Sequence, residues 1–230
     1  MAAGTRTYFY TFSLPDQRNI EFTVAIEPIS QHINNCPLAP PAWARLEFHQ
    51  CPPCPLQVEK HPYCPVVLSI SDLVTTFKNT ASFAKCRVTC VTPERTMMKD
   101  TTVQEGLASI LGLLMAISGC PIMDFFKPLA QFHLPFASVD ESIFRIVAVY
   151  MLRQYYRKGN TLNHQFLLDD IKAHYGLVKQ VNKGILDRIL SITDLDADKN
   201  AIVTLASLGQ ILEMEIDANL ESLHHLFLEP

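Results

Sequence analysis

Residues 5–27 read TRTYFYTFSLPDQRNIEFTVAIE, and this stretch favours a β-hairpin. Its two arms, residues 5–14 and 19–27, are rich in Thr, Tyr, Phe, Val and Ile, the residue types that are enriched in strands. Pro15 and Asp16, which lie between the arms, favour a turn. We therefore predict two antiparallel strands joined by a short turn.

A third strand is predicted over residues 83–92, which read FAKCRVTCVT. Apolar and polar side chains alternate along this segment, so Cys86, Val88 and Cys90 share one face of the strand. Free cysteine is commonly buried as a small hydrophobic residue. We therefore interpret Cys86 and Cys90 as core residues of a sheet.

Two sequences with the pattern of a capping box mark helix starts in the second half of the chain. Residues 102–105 read TVQE and residues 138–141 read SVDE, each with Ser or Thr three positions before Glu. The first box precedes an uncharged run, residues 106–123, which approaches the length of a membrane span. A Gly-Cys-Pro step interrupts this run, so we predict a buried core helix instead. After the second box, Glu141 precedes Arg145 by one helical turn, which favours an ion pair.

Three further helices are predicted from apolar residues at helical spacing. They lie near residues 165–175, 177–192 and 200–227. Gly176 separates the first of them from the second. Together these assignments describe an α+β protein, with the hairpin, the third strand and a Cys/Pro-rich loop in residues 1–99 and about five helices in residues 100–230. We expect the two parts to form one compact unit.

The composition and the charge exclude several classes of protein. The 230-residue chain is 48% hydrophobic and 18% charged, which is typical of a packed globular protein and not of a disordered one. A formal net charge of -4 gives no reason to expect nucleic acid as a partner. The first residues lack the basic and apolar regions of a secretory signal, so we expect a cytoplasmic protein whose seven cysteines stay reduced.

Residues 28–64, between the hairpin and the third strand, are dense in proline, which precludes a regular helix or a central strand there. Five residues of types that bind metals fall within one short stretch of this loop: His49, Cys51, Cys54, His61 and Cys64. Cys51 and Cys54 have the C-x-x-C spacing that lets two thiolates reach one tetrahedral ion. The loop therefore contains the strongest functional signal in the sequence.

We predict a metal site on Cys51, Cys54, Cys64 and Cys120. One C-x-x-C is incomplete, and Cys120, in the SGCP sequence, would tie the loop to the end of the core helix. Proline follows Cys64 and Cys120, which predicts that both are helix N-cap residues, where the helix dipole favours a thiolate. Four thiolates suit zinc or an iron–sulfur cluster. A metal-free cluster of reduced or redox-switching thiols is the alternative.

Two other functions compete with a metal site. In the first, Cys120 is the nucleophile of a thiol enzyme or redox switch, and His133 is its base. His133 lies in the FHLPF sequence, residues 132–136, which also suits a hydrogen-bonded core residue. It could equally be a metal ligand or support the site, and His49 and His61 are further candidate ligands. In the second, the protein is an interaction module whose long last helix packs on a partner.

The run WARLEFHQCPPCPL, residues 43–56, together with SGCP and FHLPF, resembles an uncharacterised bacterial family defined by a domain of unknown function. The resemblance covers nearly the whole chain and implies a bacterial protein that folds as a single unit. It brings no established activity, cofactor or catalytic residue. The functional predictions therefore rest on the cysteines and histidines themselves.

Overall fold

Four strands form one antiparallel sheet. The computed structural model describes residues 5–26, 39–157, 168–192, 197–218 and 220–227. Within these residues the strands are β1 Arg6–Ser13, β2 Asn19–Ile26, β3 Lys85–Val91 and β4 Thr96–Thr102. Their order across the sheet is β2-β1-β3-β4, and each neighbouring pair is antiparallel. The predicted hairpin, the third strand and the α+β class are confirmed.

Strand β4 is absent from the predictions because it is an edge strand without an apolar face. Its sequence, TMMKDTT, buries only the side chain of Thr101. Asp100 pairs across the strands with Arg87, and a carboxylate oxygen of Asp100 lies 2.7 Å from Nε of Arg87. Charged side chains on an edge strand protect it from pairing with another chain, but they also remove the alternation that identifies a strand.

Seven α-helices are present in the described part of the chain. They are α1 Pro65–Phe77, α2 Val103–Ile117, α3 Lys127–Gln131, α4 Val139–Arg157, α5 Asp169–Leu190, α6 Ala197–Asp217 and α7 Glu221–His224. The buried face of the sheet packs against α1 and α2. The centre of the Phe77 ring in α1 lies 5.0 Å from the centre of the Phe12 ring in β1. Cys86 and Cys90 are buried on this face, as predicted.

Two of the predicted helix boundaries are wrong. Helix α5 runs through Gly176 without a break, because an isolated glycine lowers helix stability but does not end a helix. The last helix, predicted over residues 200–227, ends at Asp217. Leu220 then takes a left-handed conformation with φ of 58°, and its N–H donates to the carbonyl of Glu215 at 2.7 Å, which closes the helix.

The two predicted capping boxes have different outcomes. The second is confirmed: the Ser138 N–H donates to the Glu141 carboxylate at 2.7 Å, and the Glu141 N–H donates to the Ser138 hydroxyl at 3.1 Å. The first is wrong, since the side chain of Thr102 makes no cap bond. The hydroxyl of Thr101 donates to Glu105 instead. The local sequence placed the start of α2 correctly but not its hydrogen bonds.

Two hydrophobic cores organise the fold. The larger core combines the sheet, α1, α2 and one side of α5, so residues on both sides of position 100 contribute to it. The smaller core lies among α4, α5, α6 and α7. Helix α2 is buried in the larger core, as predicted. In the described residues, no helix combines the length and the apolar character that a membrane crossing requires.

Glycine at position 106 is expected to be essential for the packing of α2 on the sheet. A β carbon there would lie 2.7 Å from a ring carbon of Phe12 and 2.7 Å from a methyl carbon of Val88. Gly106→Ala should therefore lower the free energy of unfolding by about 1–3 kcal/mol through overpacking. Gly176 is the matched control, because a β carbon there meets nothing within 4 Å. Gly176→Ala should therefore raise the free energy of unfolding by about 1 kcal/mol. Urea unfolding measures both changes, and stabilisation by both substitutions would contradict the close approach.

Candidate functional site

Residues 39–64 form an irregular segment, here called the strap, that lies against α1 and α5. Its only regular structure is a 3₁₀ turn at Ala42–Ala44 and an isolated bridge between Arg45 and Tyr63. The prediction of no helix or central strand is thus confirmed for these residues. Residues 27–38, which include Cys36, lie outside the described residues. Trp43 and Leu46 are buried, and Trp43 attaches the strap to the larger core.

Arg188 of α5 holds the strap in place. Its side chain is only 2% exposed. One guanidinium nitrogen donates to the carbonyls of Trp43 at 2.6 Å and Arg45 at 2.9 Å, and the other donates to that of Leu46 at 3.1 Å. The guanidinium carbon also lies 5.9 Å from the centre of the Phe48 ring. Five donors in a planar fork allow arginine to bind several carbonyls at once.

The structure makes the four cysteines that are predicted as metal ligands neighbours. Cys51 and Cys54 lie in one turn, in which the Cys54 N–H donates to the Cys51 carbonyl at 3.0 Å, while the Cys64 N–H donates to the Ala44 carbonyl at 2.7 Å. The pKa of Cys51 is raised to about 12, mainly by burial and then by the charges of Cys54, Cys64 and Cys120 in that order. Charges act on one another in this way only when the groups are neighbours.

Of the two predicted N-cap cysteines, only Cys64 has that position. Cys120 does not, because the 3₁₀ turn that follows it begins at Met123 and has Ile122 as its N-cap residue. Cys64 is the N-cap residue of α1 with Pro65 at the first helical position, as predicted. The predicted lowering of thiol pKa is wrong, however, because burial raises the pKa of both thiols. The N–H groups that follow each cysteine oppose this effect, and Arg188 opposes it at Cys64. Cys120 itself is only 5% exposed.

Helix α5 packs closely on Cys51 at Gly184. A β carbon at this glycine would lie 3.2 Å from Cβ of Cys51 and 3.4 Å from the carbonyl oxygen of His49. The side chains of His49 and His61 are exposed. Across the described ranges, no three His, Cys, Asp or Glu side chains are arranged to hold a metal ion. The thiols are thus neighbours that do not yet converge on one point.

His133 is bound to two tyrosines of β1. Its Nε2 lies 2.5 Å from the Tyr10 hydroxyl, and its main-chain N–H donates to the Tyr8 hydroxyl at 3.1 Å. The Tyr10 hydroxyl in turn lies 3.0 Å from that of Ser109. In the part of the chain that the structure describes, no hydrogen bond joins His133 to Cys120. The structure therefore does not bring together the nucleophile and base of the thiol-enzyme prediction.

Acid is expected to destabilise the protein through His133. Burial lowers the pKa of His133 to about 3, with a smaller contribution from Arg145. This value is below the ordinary 6.5, so the unfolded chain binds the proton first as the pH falls. The free energy of unfolding should therefore decrease below pH 6.5 and down to about pH 3, by at most about 1.4 kcal/mol per pH unit.

The variant His133→Gln tests this prediction, because glutamine retains an acceptor for Tyr10 but does not titrate. Urea unfolding of both proteins at several pH values gives the two slopes, and subtraction removes the contribution of the carboxylates. We expect a shallower slope for the variant. Equal slopes would show that His133 has the same proton affinity in the folded and unfolded states.

Comparison with known proteins identifies a family but no activity. A family model described as Domain of unknown function (DUF6901) matches residues 7–228. No curated protein and no solved structure matches the chain. The function must therefore be argued from the side chains themselves.

Proposed function

The chain belongs to the family described as Domain of unknown function (DUF6901), and from its own geometry we propose that it binds a thiophilic metal through Cys51, Cys54, Cys64 and Cys120. One observation carries the proposal. The turn at Cys51 and Cys54, the start of α1 and the end of α2 present four thiols that are close enough to influence one another electrostatically. Soft thiolate ligands select zinc, copper(I) or iron–sulfur clusters.

Zinc is the metal we favour. Structural zinc sites have four ligands in a tetrahedron, commonly four cysteines, with sulfur about 2.3 Å from the ion. An iron–sulfur cluster also accepts four cysteines and is the second candidate. A closed four-thiolate site leaves no position for a substrate, so the metal would have a structural or sensing role rather than a catalytic one.

Binding requires the thiols to lose protons and to converge. Rotation about χ1 between staggered positions is the movement by which the cysteine sulfurs would approach a shared ion. Four thiolates around a divalent ion carry a net charge of about -2, and the buried guanidinium of Arg188 lies close enough to act on three of the thiols. Arg188 would therefore stabilise the loaded site as well as the strap.

The bound metal would join three parts of the molecule. It would link the strap to α1 through Cys64 and to the end of α2 through Cys120. The six cysteines in the described part of the chain are free thiols, which suits a protein of the reducing cytoplasm.

Metal analysis of protein purified without air is the direct test. We expect about one zinc ion per chain and no colour, whereas brown protein with broad visible absorbance would identify an iron–sulfur cluster. Adding zinc to the metal-free protein in weak buffer near neutral pH should release close to four protons, since free thiols have a pKa of about 8.5. Cys120→Ser should reduce the metal content, while Cys90→Ser, in the core of the sheet, should not.

Absence of any metal, with no uptake of zinc or of a reconstituted cluster, would overturn the proposal. Formation of a disulfide between Cys51 and Cys54 in such a protein would favour the redox switch instead. The burial of Cys120 and the direction of its pKa shift make it a weak nucleophile at neutral pH, so rapid alkylation of Cys120 would also count against the proposed site.

A further inference from the structure

A second candidate site lies beside α2, in a cavity of about 490 Å³. The cavity is lined by residues of β4, α2, the 123–126 turn, α3, the 133–138 loop, α4, α5 and α6. Most of its lining is apolar, including Ala108, Leu113, Leu129, Leu208 and Ile211. Ligand pockets in proteins have volumes of about 300–1,000 Å³ and combine an apolar lining with a few polar groups.

Two polar side chains on α5 line this cavity without a partner. Tyr175 is 6% exposed and Asn182 is 5% exposed. In the described residues, neither the Tyr175 hydroxyl nor the Asn182 amide makes a hydrogen bond. They are seven residues apart, so they lie on the same face of α5 about 10 Å from each other. Both side chains line the cavity, so a ligand inside it could form hydrogen bonds with the Tyr175 hydroxyl and the Asn182 amide.

Among the charged side chains of the described residues that line the cavity, Arg145 is the one cation without a carboxylate partner. Lys99 and Glu105 form a pair at 3.8 Å. The ion pair predicted between Glu141 and Arg145 does not form, since the Glu141 carboxylate accepts from Ser138. Arg145 instead donates to the carbonyls of Phe132 at 2.6 Å and Leu129 at 3.4 Å. No carboxylate within the described ranges lies within 4.0 Å of this guanidinium, which leaves donors for an anion.

We propose that this cavity binds a small amphipathic carboxylate, with its anionic group on Arg145 and its apolar body between α2 and α6. A single unpaired cation matches a monoanion and not a phosphate dianion, which would require further positive groups. The apolar lining excludes a small hydrophilic acid. Tyr175 and Asn182 would bond to polar atoms of the ligand or to water beside it. The simplest molecule of this class is a medium-chain fatty acid.

Titration calorimetry with decanoate below its micelle concentration tests the proposal, and decanol serves as the uncharged ligand of equal length. We expect one decanoate per chain, bound at least about tenfold more tightly than decanol. Arg145→Gln should weaken decanoate by at least about tenfold and leave decanol unchanged. Equal binding of the two ligands to the wild-type protein, or no binding of decanoate, would overturn the proposal.

Two further variants keep the test decisive if Arg145→Gln does not fold. Leu208→Trp should fill the cavity and abolish binding of decanoate, while circular dichroism confirms the fold. Asn182→Leu removes the unpartnered amide and should raise the Tm of the ligand-free protein. If the folded Leu208→Trp variant binds decanoate as tightly as the wild-type protein, decanoate binds elsewhere. A lower Tm for Asn182→Leu would show that the Asn182 amide is hydrogen-bonded in the folded protein. Either result contradicts the proposed site. These readouts do not depend on the metal content of the thiol cluster.

Discussion

Replacing Arg188 by methionine is expected to lower the free energy of unfolding by at least about 3 kcal/mol, because each buried carbonyl left without its donor costs about 1–3 kcal/mol. Three strap carbonyls, those of Trp43, Arg45 and Leu46, lose their donors at once. Methionine fills much of the same space, so a cavity contributes little to the loss. Urea unfolding measures the change, and limited proteolysis should reveal new cleavage within residues 39–64.

Arg45→Met is the matched control for this substitution. The Arg45 side chain is 66% exposed and lies 3.6 Å from Glu47, a surface pair that contributes little. We expect a change below about 0.5 kcal/mol and no new cleavage. Arg188→Lys should fall between the two, since lysine retains the charge but not the planar fork of donors. Loss of stability without cleavage of the strap would show that Arg188 supports the core and not the strap.

Replacing Cys64 by serine is expected to separate the stability of the metal-loaded protein from that of the metal-free protein. In the loaded protein, loss of one ligand should lower the free energy of unfolding by about 3 kcal/mol or more, because metal binding free energy contributes to folding. In the metal-free protein the same substitution should be nearly neutral, since serine is a favoured N-cap residue and Cys64 makes no cap bond. Thermal unfolding with and without a chelator measures both values.

Cys86→Ser is the control for this comparison, because it places the same hydroxyl at a buried thiol of β3. Its effect should be equal in the presence and absence of metal. A chelator-independent effect of Cys64→Ser would exclude Cys64 as a ligand. An effect of Cys86→Ser that depends on metal would show that the spacing argument selected the wrong cysteines.

The sequence predicts the parts of this protein whose signals are local. Alternation identified β1, β2 and β3, and the Cys-Pro steps placed Cys64 before α1. The spacing of Cys51, Cys54 and Cys64, together with the Cys-Pro step at Cys120, also identified four thiols that the fold makes neighbours. Strand β4 is not predictable from its own side chains, because it is a strand through its pairing with β3. Gly176 was misread because helix continuity depends on packing along the whole of α5.

The partners of the site could not be predicted in the same way. Arg188 continues the apolar stripe of Val181 and Ile185 at helical spacing, and a charged residue on such a stripe is the one signal that could have identified it. Its acceptors are main-chain carbonyls, which have no signature in the sequence. Gly184 has a role only because Cys51 lies against it. The cavity likewise exists only because eight segments, distant from one another in the sequence, meet in the fold.

The bonds between Arg188 and the strap join positions that are 142, 143 and 145 residues apart in the chain. At a synthesis rate of about 5–20 residues per second, roughly 7–30 s pass between the synthesis of the strap and that of Arg188. Throughout that interval its thiols lack the packing of α5, and contacts of such long range form late in folding. The nascent chain is therefore most exposed to oxidation and to capture of a wrong metal at the very segment that carries its candidate ligands.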